Sequence, residues 1–254
     1  MVCGNIPSSG YGLGFGFRRF QWGAADVLKV NHYSTTPTGI TSSATAHPDL
    51  QRGSYDFAVV GLAPYDALGR VFVLGGRASS GFVGEYFKYG SSGFTTPSNL
   101  AVPPTPDATT KFAGGLISGR AGLGASVIDG SNFLVFGGYD FGGMRSEVFS
   151  VNVGKSHTSP HTWTPKAAMP VPLKSPRTLP SGASGTINWL YVVGGGTAPG
   201  INNDNRRIFR YNVTGPNADQ WFAVKDSAGN DLIIPGTNQL EIASVQGAIM
   251  ILTE

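Results

Sequence analysis

The stretch RAGLGASVIDGSNFLVFGGYDFGGMRSEVFSVNVGKSHTSPHTWTPKAAMP, residues 120–170, decides how the rest of the chain is read. Arg120 opens it. Gly-Ala-Ser-Val-Ile at 124–128 has the length of a short apolar strand, and Asp129-Gly130 is a turn signal. Phe133-Leu134-Val135-Phe136 is an uninterrupted apolar run of the kind a strand shows when both of its faces are covered, and it leads into Gly137-Gly138. After a loop, Glu147-Val148-Phe149-Ser150-Val151-Asn152 alternates apolar and polar, the period of a half-buried strand, and a lone Trp163 precedes Met169-Pro170.

The same order of parts recurs in both directions. Upstream, Arg52 leads to an apolar strand pattern over 55–61, a turn, Val71-Phe72-Val73-Leu74 and Gly75-Gly76; an alternating strand over 84–89 and Phe94 follow. Downstream, Arg177 leads to a strand pattern at 181–186, Trp189-Leu190-Tyr191-Val192-Val193, Gly194-Gly195, an alternating strand over 207–212, and Trp221. A fourth, degraded cycle has apolar strands at 240–245 and 249–252, with Thr253-Glu254 where the glycines belong. The glycine pairs lie about sixty residues apart, and the connections between cycles are rich in proline. No stretch holds a 3.6-residue period, so the chain is expected to contain almost no helix.

Arg, strand, turn, strand, Gly-Gly, alternating strand and late Trp, in that order, resemble the kelch repeat, the four-stranded blade of a β-propeller. The resemblance covers residues 25–254. It implies an all-β fold: a kelch-like β-propeller of four blades, each of about four antiparallel strands, forming one domain over 1–254. Inner strand pairs fall near 52–76, 119–138, 177–196 and 238–254, and outer pairs near 25–48, 84–104, 147–170 and 207–235. The chain begins and ends at the same phase of the repeat, so the N- and C-terminal strands are expected to share one blade and close the ring. The alternative is a partial propeller of six or seven blades. Before the first cycle, residues 3–22 are read as a Gly-rich loop; Gly12, Gly14 and Gly16 lack the preceding strand and following helix of a dinucleotide fingerprint.

Composition agrees with many short strands joined by tight turns: 37 glycines and 17 prolines supply the backbone conformations that turns need. Charged residues make up 13% of the chain and apolar residues 41%, too apolar a balance for disorder. The net charge of +3 comes from scattered Lys and Arg, with no basic tract to hold nucleic acid. A single cysteine, Cys3, makes neither an intrachain disulfide framework nor a cysteine-rich metal site. No apolar run has the length of a membrane span, so no membrane insertion is expected. Low charge and a Ser/Thr/Gly-rich surface suit an extracellular assembly better than the cytoplasm, although the first twenty residues do not resemble a signal peptide.

No catalytic signature stands out, and no catalytic residue, metal ligand or cofactor is assigned. His157 and His161 are four apart, but Pro160 between them rules out the helix that would align them as ligands. Asn202, Asn203, Asp204 and Asn205 offer one acid among three amides, a poor set for calcium. Asn212-Val213-Thr214 is a glycosylation sequon. The candidate binding residues are the arginines that open the inner strands, Arg52, Arg120 and Arg177, and the groups on the loops after Gly-Gly: Arg77; Tyr139, Asp140 and Arg145; Asn203, Asp204 and Arg206. In kelch proteins resembling this one, arginines at such positions lie near the mouth of the central channel and meet acidic peptides. The competing reading is that each arginine braces its own blade.

The expectation is therefore a non-catalytic binding or structural module, with another protein or an acidic peptide as partner. The second reading is a carbohydrate-active or sugar-binding propeller similar to galactose oxidase or sialic acid mutarotase. Copper-radical chemistry is disfavoured, because such oxidases crosslink a cysteine to a tyrosine and Cys3 sits at the extreme N-terminus.

Overall fold

The computed structural model describes residues 57–62, 71–78, 119–154, 162–181, 187–199 and 204–235, and elsewhere only the backbone of paired strands. The described chain is all-β and every strand pairing is antiparallel. It contains no helix long and apolar enough to cross a membrane.

The first sheet holds β1 (Val2–Cys3), β2 (Gly12–Arg18), β3 (Lys29–Thr36), β4 (Gly39–Ile40) and β5 (Thr45–Ala46). Here the expectation of a Gly-rich loop is corrected: β2 is a strand, paired with β3 from Gly12 opposite Thr35 to Arg18 opposite Lys29. The glycines alternate with Leu13, Phe15 and Phe17, a period of two that the glycine content had masked. The alternating strand expected from residue 25 is described from Lys29 onward.

The second sheet runs from β6 (Ala58–Gly61) through β7 (Val71–Leu74) to β10 (Tyr86–Gly90) and β11 (Gly93–Phe94), with a separate hairpin, β8 (Arg77–Ala78) and β9 (Gly81–Phe82), following the glycine pair. The third runs β12 (Ala121–Val127), β13 (Asn132–Asp140), β15 (Val148–Asn152) and β16 (Thr162–Lys166), with β14 (Gly143–Met144) beside β13. The fourth runs β17 (Arg177–Ser181), β18 (Trp189–Val193), β19 (Ile208–Asn212) and β20 (Gln220–Ala223). A final pair, β21 (Glu241–Val245) and β22 (Ala248–Leu252), completes the described strands.

Register shows that sheets two to four are copies. Phe94, Trp163 and Trp221 all stand on the fourth strand, opposite Tyr89, Val151 and Tyr211 on the third. Two boundaries differ from expectation. The first strand of sheet four is Arg177–Ser181, not 181–186, because the bridge from Lys174 to Gly196 and the pairing of Arg177 with Val193 set the register earlier. Residues 182–186 lie outside the described part. In sheet three the glycine pair does not end the second strand, which continues through Gly137-Gly138 to Asp140 and turns into β14.

The first strands of successive sheets lie side by side, β6 against β12, β12 against β17 and β17 against β21. Between sheets lie the cores. Phe133 and Val135 face sheet two, meeting Val60, Leu62, Phe72 and Leu74; Leu134 and Phe136 face sheet four, meeting Leu190, Val192, Phe209 and Tyr211. The apolar run of β13 is thus covered on both faces, as its sequence required. The late aromatics fill the outer part of these joints: Trp163 packs edge-on to Phe149, and Trp221 lies 6.5 Å from Phe136 and 4.9 Å from Tyr211. The expected union of terminal strands is not seen among the described residues, where β21 and β22 pair with each other and β1–β5 form a sheet of their own.

One joint is held by polar groups the sequence did not flag. Asp219, with a φ of 61°, accepts hydrogen bonds from the Ala167 amide and the Tyr211 hydroxyl, each at 2.8 Å, and the Trp221 indole donates to the Ala167 carbonyl at 2.8 Å. Burial, then the bond to Asp219, pushes the Tyr211 hydroxyl well above its ordinary pKa, so it stays a donor. Asp tolerates the left-handed conformation better than a plain aliphatic residue does, and its oxygen joins the two sheets. Asp219→Ala should lower stability by roughly 2 kcal/mol in urea unfolding, while Asp219→Asn, which keeps the acceptor and the backbone preference, should remain within about 0.5 kcal/mol. Equal losses for the two variants would disprove the clasp.

Candidate functional site

Antiparallel order brings three places to one end of each sheet: the start of the first strand, the end of the second and the start of the third. The described candidate residues lie at this end, beside the glycine pairs. All three pairs have positive φ, with 61° and 108° at Gly75 and Gly76, 65° and 83° at Gly137 and Gly138, and 66° and 91° at Gly194 and Gly195. Beyond turning the chain, two of the pairs form joints between sheets. Gly76 donates to the Arg120 carbonyl and Gly138 to the Leu173 carbonyl, each at 2.8 Å. A Cβ on Gly75 would lie 2.3 Å from the Arg120 oxygen, and one on Gly137 would lie 2.4 Å from that of Leu173.

Arg120 is 2% exposed. Its Nη1 donates to the Gly137 carbonyl at 3.2 Å and lies 3.5 Å from Glu147 Oε2. Burial lowers its pKa, while the Glu147 and Asp140 carboxylates oppose that shift. This arginine braces its own sheet by holding the carbonyl at the glycine kink. Its counterpart in the next sheet is not Arg177. Gly76 meets Arg120 just as Gly138 meets Leu173, so fully buried Leu173 stands in the place of Arg120. Arg177, exposed and opposite Val193, occupies the register position that Gly124, opposite Phe136, holds in sheet three. These two arginines therefore do not repeat around an axis, because Arg120 lies one position before its strand while Arg177 begins its own. Arg52 lies outside the described residues, as do Asn203, His157 and His161.

Past Gly138 the chain forms a hairpin that turns at Phe141-Gly142. Asp140 is buried and takes Arg145 in a two-pronged pair, Nη2 to Oδ1 at 2.8 Å and Nε to Oδ2 at 2.9 Å, while the Gly142 amide also donates to Oδ1. The bond to Asp140 raises the pKa of Arg145. At the tip, Phe141 is 83% exposed. Arg77 is exposed on the smaller β8–β9 hairpin, at the position that Tyr139 holds after Gly138.

Two buried residues of this end were not among the candidate binding residues. Lys174 lies over the Tyr139 ring, 5.4 Å from its centroid, and donates to the Pro199 carbonyl at 3.0 Å. Asn205 donates to the carbonyls of Gly194 and Arg207 at 2.8 and 3.1 Å. Neither has a local sequence signature; their partners are 25 and 11 residues away in the longer cases. Asp204 accepts from the amide and hydroxyl of Thr197, and Arg206 donates to the Ile234 carbonyl at 2.8 Å, so both tie loops down. Asn212, the sequon acceptor, is 3% exposed and thus closed to a glycosyltransferase in the folded chain. Among the described residues no three His, Cys, Asp or Glu side chains gather to hold a metal ion.

No protein-family model matches the chain, and no curated protein is significantly similar to it.

Proposed function

We propose that the chain is a kelch-type β-propeller, closed by its terminal strands in one blade, and that it serves as a non-catalytic module that binds another protein at the glycine-pair end. The propeller reading is supported by three sheets of matching register whose first strands lie in sequence against one another. The binding reading is carried by Phe141. A large aromatic 83% exposed on a turn clamped by the Asp140–Arg145 pair is ordered before any partner arrives. Such an anchor contributes contact area at little further entropic cost. Arg77 and Arg177 are exposed at the same end of their own sheets, which suits an acidic partner surface.

The test places a photo-crosslinking phenylalanine analogue at position 141 and irradiates the protein in an extract of its source cells. A discrete adduct that is absent when the same analogue replaces exposed Leu232, and that is competed away by unlabelled wild-type but not Phe141→Ala protein, is the expected result. No adduct, or the same adducts at both positions, would overturn the proposal.

A further inference from the structure

The outer half of sheet four differs from the sheet before it. By register, Trp189, Arg210 and Phe222 hold the places of Asn132, Ser150 and Thr164 in sheet three. There the places are small and polar. In sheet four the Arg210 guanidinium lies between two rings, 4.3 Å from the centroid of Trp189 and 5.4 Å from that of Phe222, on the face that also carries Tyr191. All four side chains are half-buried. Arg210 has no carboxylate or other acceptor among the described residues, and its Nε is buried without a hydrogen-bond partner. A guanidinium fixed in its plane by aromatic stacking keeps its N–H edges aligned for a carboxylate at little entropic cost.

The neighbouring strand, β20, is the outermost of its sheet. Its counterpart β16 ends in Pro165-Lys166, residues that discourage pairing at an open edge; β20 reads Gln-Trp-Phe-Ala and has neither device. Among the described residues no carboxylate supplies the missing anion. β2, β3 and β22 contain no Asp or Glu, and Glu241 sits on β21, the strand beside β17 and two strands from β19.

We propose that Arg210 seats a carboxylate of an acidic, extended segment from a partner protein, which adds antiparallel to β20 and lays a Glu or Asp over Phe222 onto the guanidinium. Main-chain bonds to β20 supply affinity and the charge pair supplies selectivity. This surface is separate from the Phe141 hairpin, and the inference stands whether or not that hairpin binds.

The test uses the full chain and a capped octapeptide alternating valine and glutamate, with a valine–glutamine octapeptide as comparison. Binding is read by fluorescence anisotropy and by the NMR signal of the Arg210 Nε–H group. The glutamate peptide should bind and shift that signal. The glutamine peptide, and Arg210→Gln with the glutamate peptide, should each bind roughly tenfold or more weakly. Arg210→Lys, which keeps the charge and loses the planar fork, should fall between, and Phe141→Ala should bind as wild type. Circular dichroism of the Arg210 variants establishes that they fold. Equal affinity for both peptides, wild-type binding by Arg210→Gln, or no binding at millimolar peptide overturns the proposal.

Discussion

Gly137→Ala is expected to lower stability by about 3–5 kcal/mol, a large part of the total for a domain of this size. Two costs combine. At a φ of 65° an L side chain strains the backbone by about 1–2 kcal/mol. The new methyl would also stand 2.4 Å from the Leu173 carbonyl oxygen and 2.8 Å from the Met169 methyl. The methionine can move. The carbonyl cannot, because it accepts the Gly138 amide at 2.8 Å and thereby joins two sheets. Relief therefore requires moving one sheet against another, at about 1–3 kcal/mol. Gly143→Ala provides the comparison: its φ is 108°, yet a Cβ there meets nothing within 4 Å. Only the conformational cost, about 1–3 kcal/mol at this φ, should appear. Urea or thermal unfolding of both variants separates the effects, and equal losses would show that the sheet joint contributes nothing beyond backbone strain.

Arg120→Met should cost about 3 kcal/mol. The methionine replaces the packed stem but leaves the Gly137 carbonyl without its donor and Glu147 Oε2, already without a hydrogen-bond partner, without its nearby cation. Glu147→Gln should cost under about 1 kcal/mol, since the Glu147 side chain is 45% exposed and the pair is correspondingly screened. Arg177→Ala, at an exposed position, should stay within about 0.5 kcal/mol. The two arginine variants thus separate a brace from a surface group. An Arg120→Met protein of wild-type stability would remove the bracing role and return Arg120 to the candidates for direct binding.

The strands were legible because each carries its own pattern. β13 is apolar throughout, β15 alternates, and Trp163 and Trp221 mark the fourth strand at matching register. β2 was missed because alternating glycine reads as turn chemistry until a partner strand is known. The start of β17 was misplaced because its register depends on Lys174 pairing with Gly196, more than twenty residues away. The candidate site was legible as a set of loops and not as roles. Asp140 and Arg145 are five residues apart and their pairing is local, but the sequence cannot say that Asp140 is buried and Phe141 exposed.

By itself, then, the sequence determined an all-β chain of repeated strands punctuated by glycine pairs, since local periodicity and backbone freedom are properties of neighbouring residues. Which arginine is a brace and which lies on the surface was decided only in the tertiary structure. Arg120 and Arg177 look alike along the chain, yet Arg120 sits under the glycine kink of its own sheet, where Leu173 sits in the next, and Arg177 stands four register positions away in the open. Burial depends on which groups the fold brings to the spot: Arg120 meets the Gly137 carbonyl, 17 residues along, and the Gly76 amide of the preceding sheet.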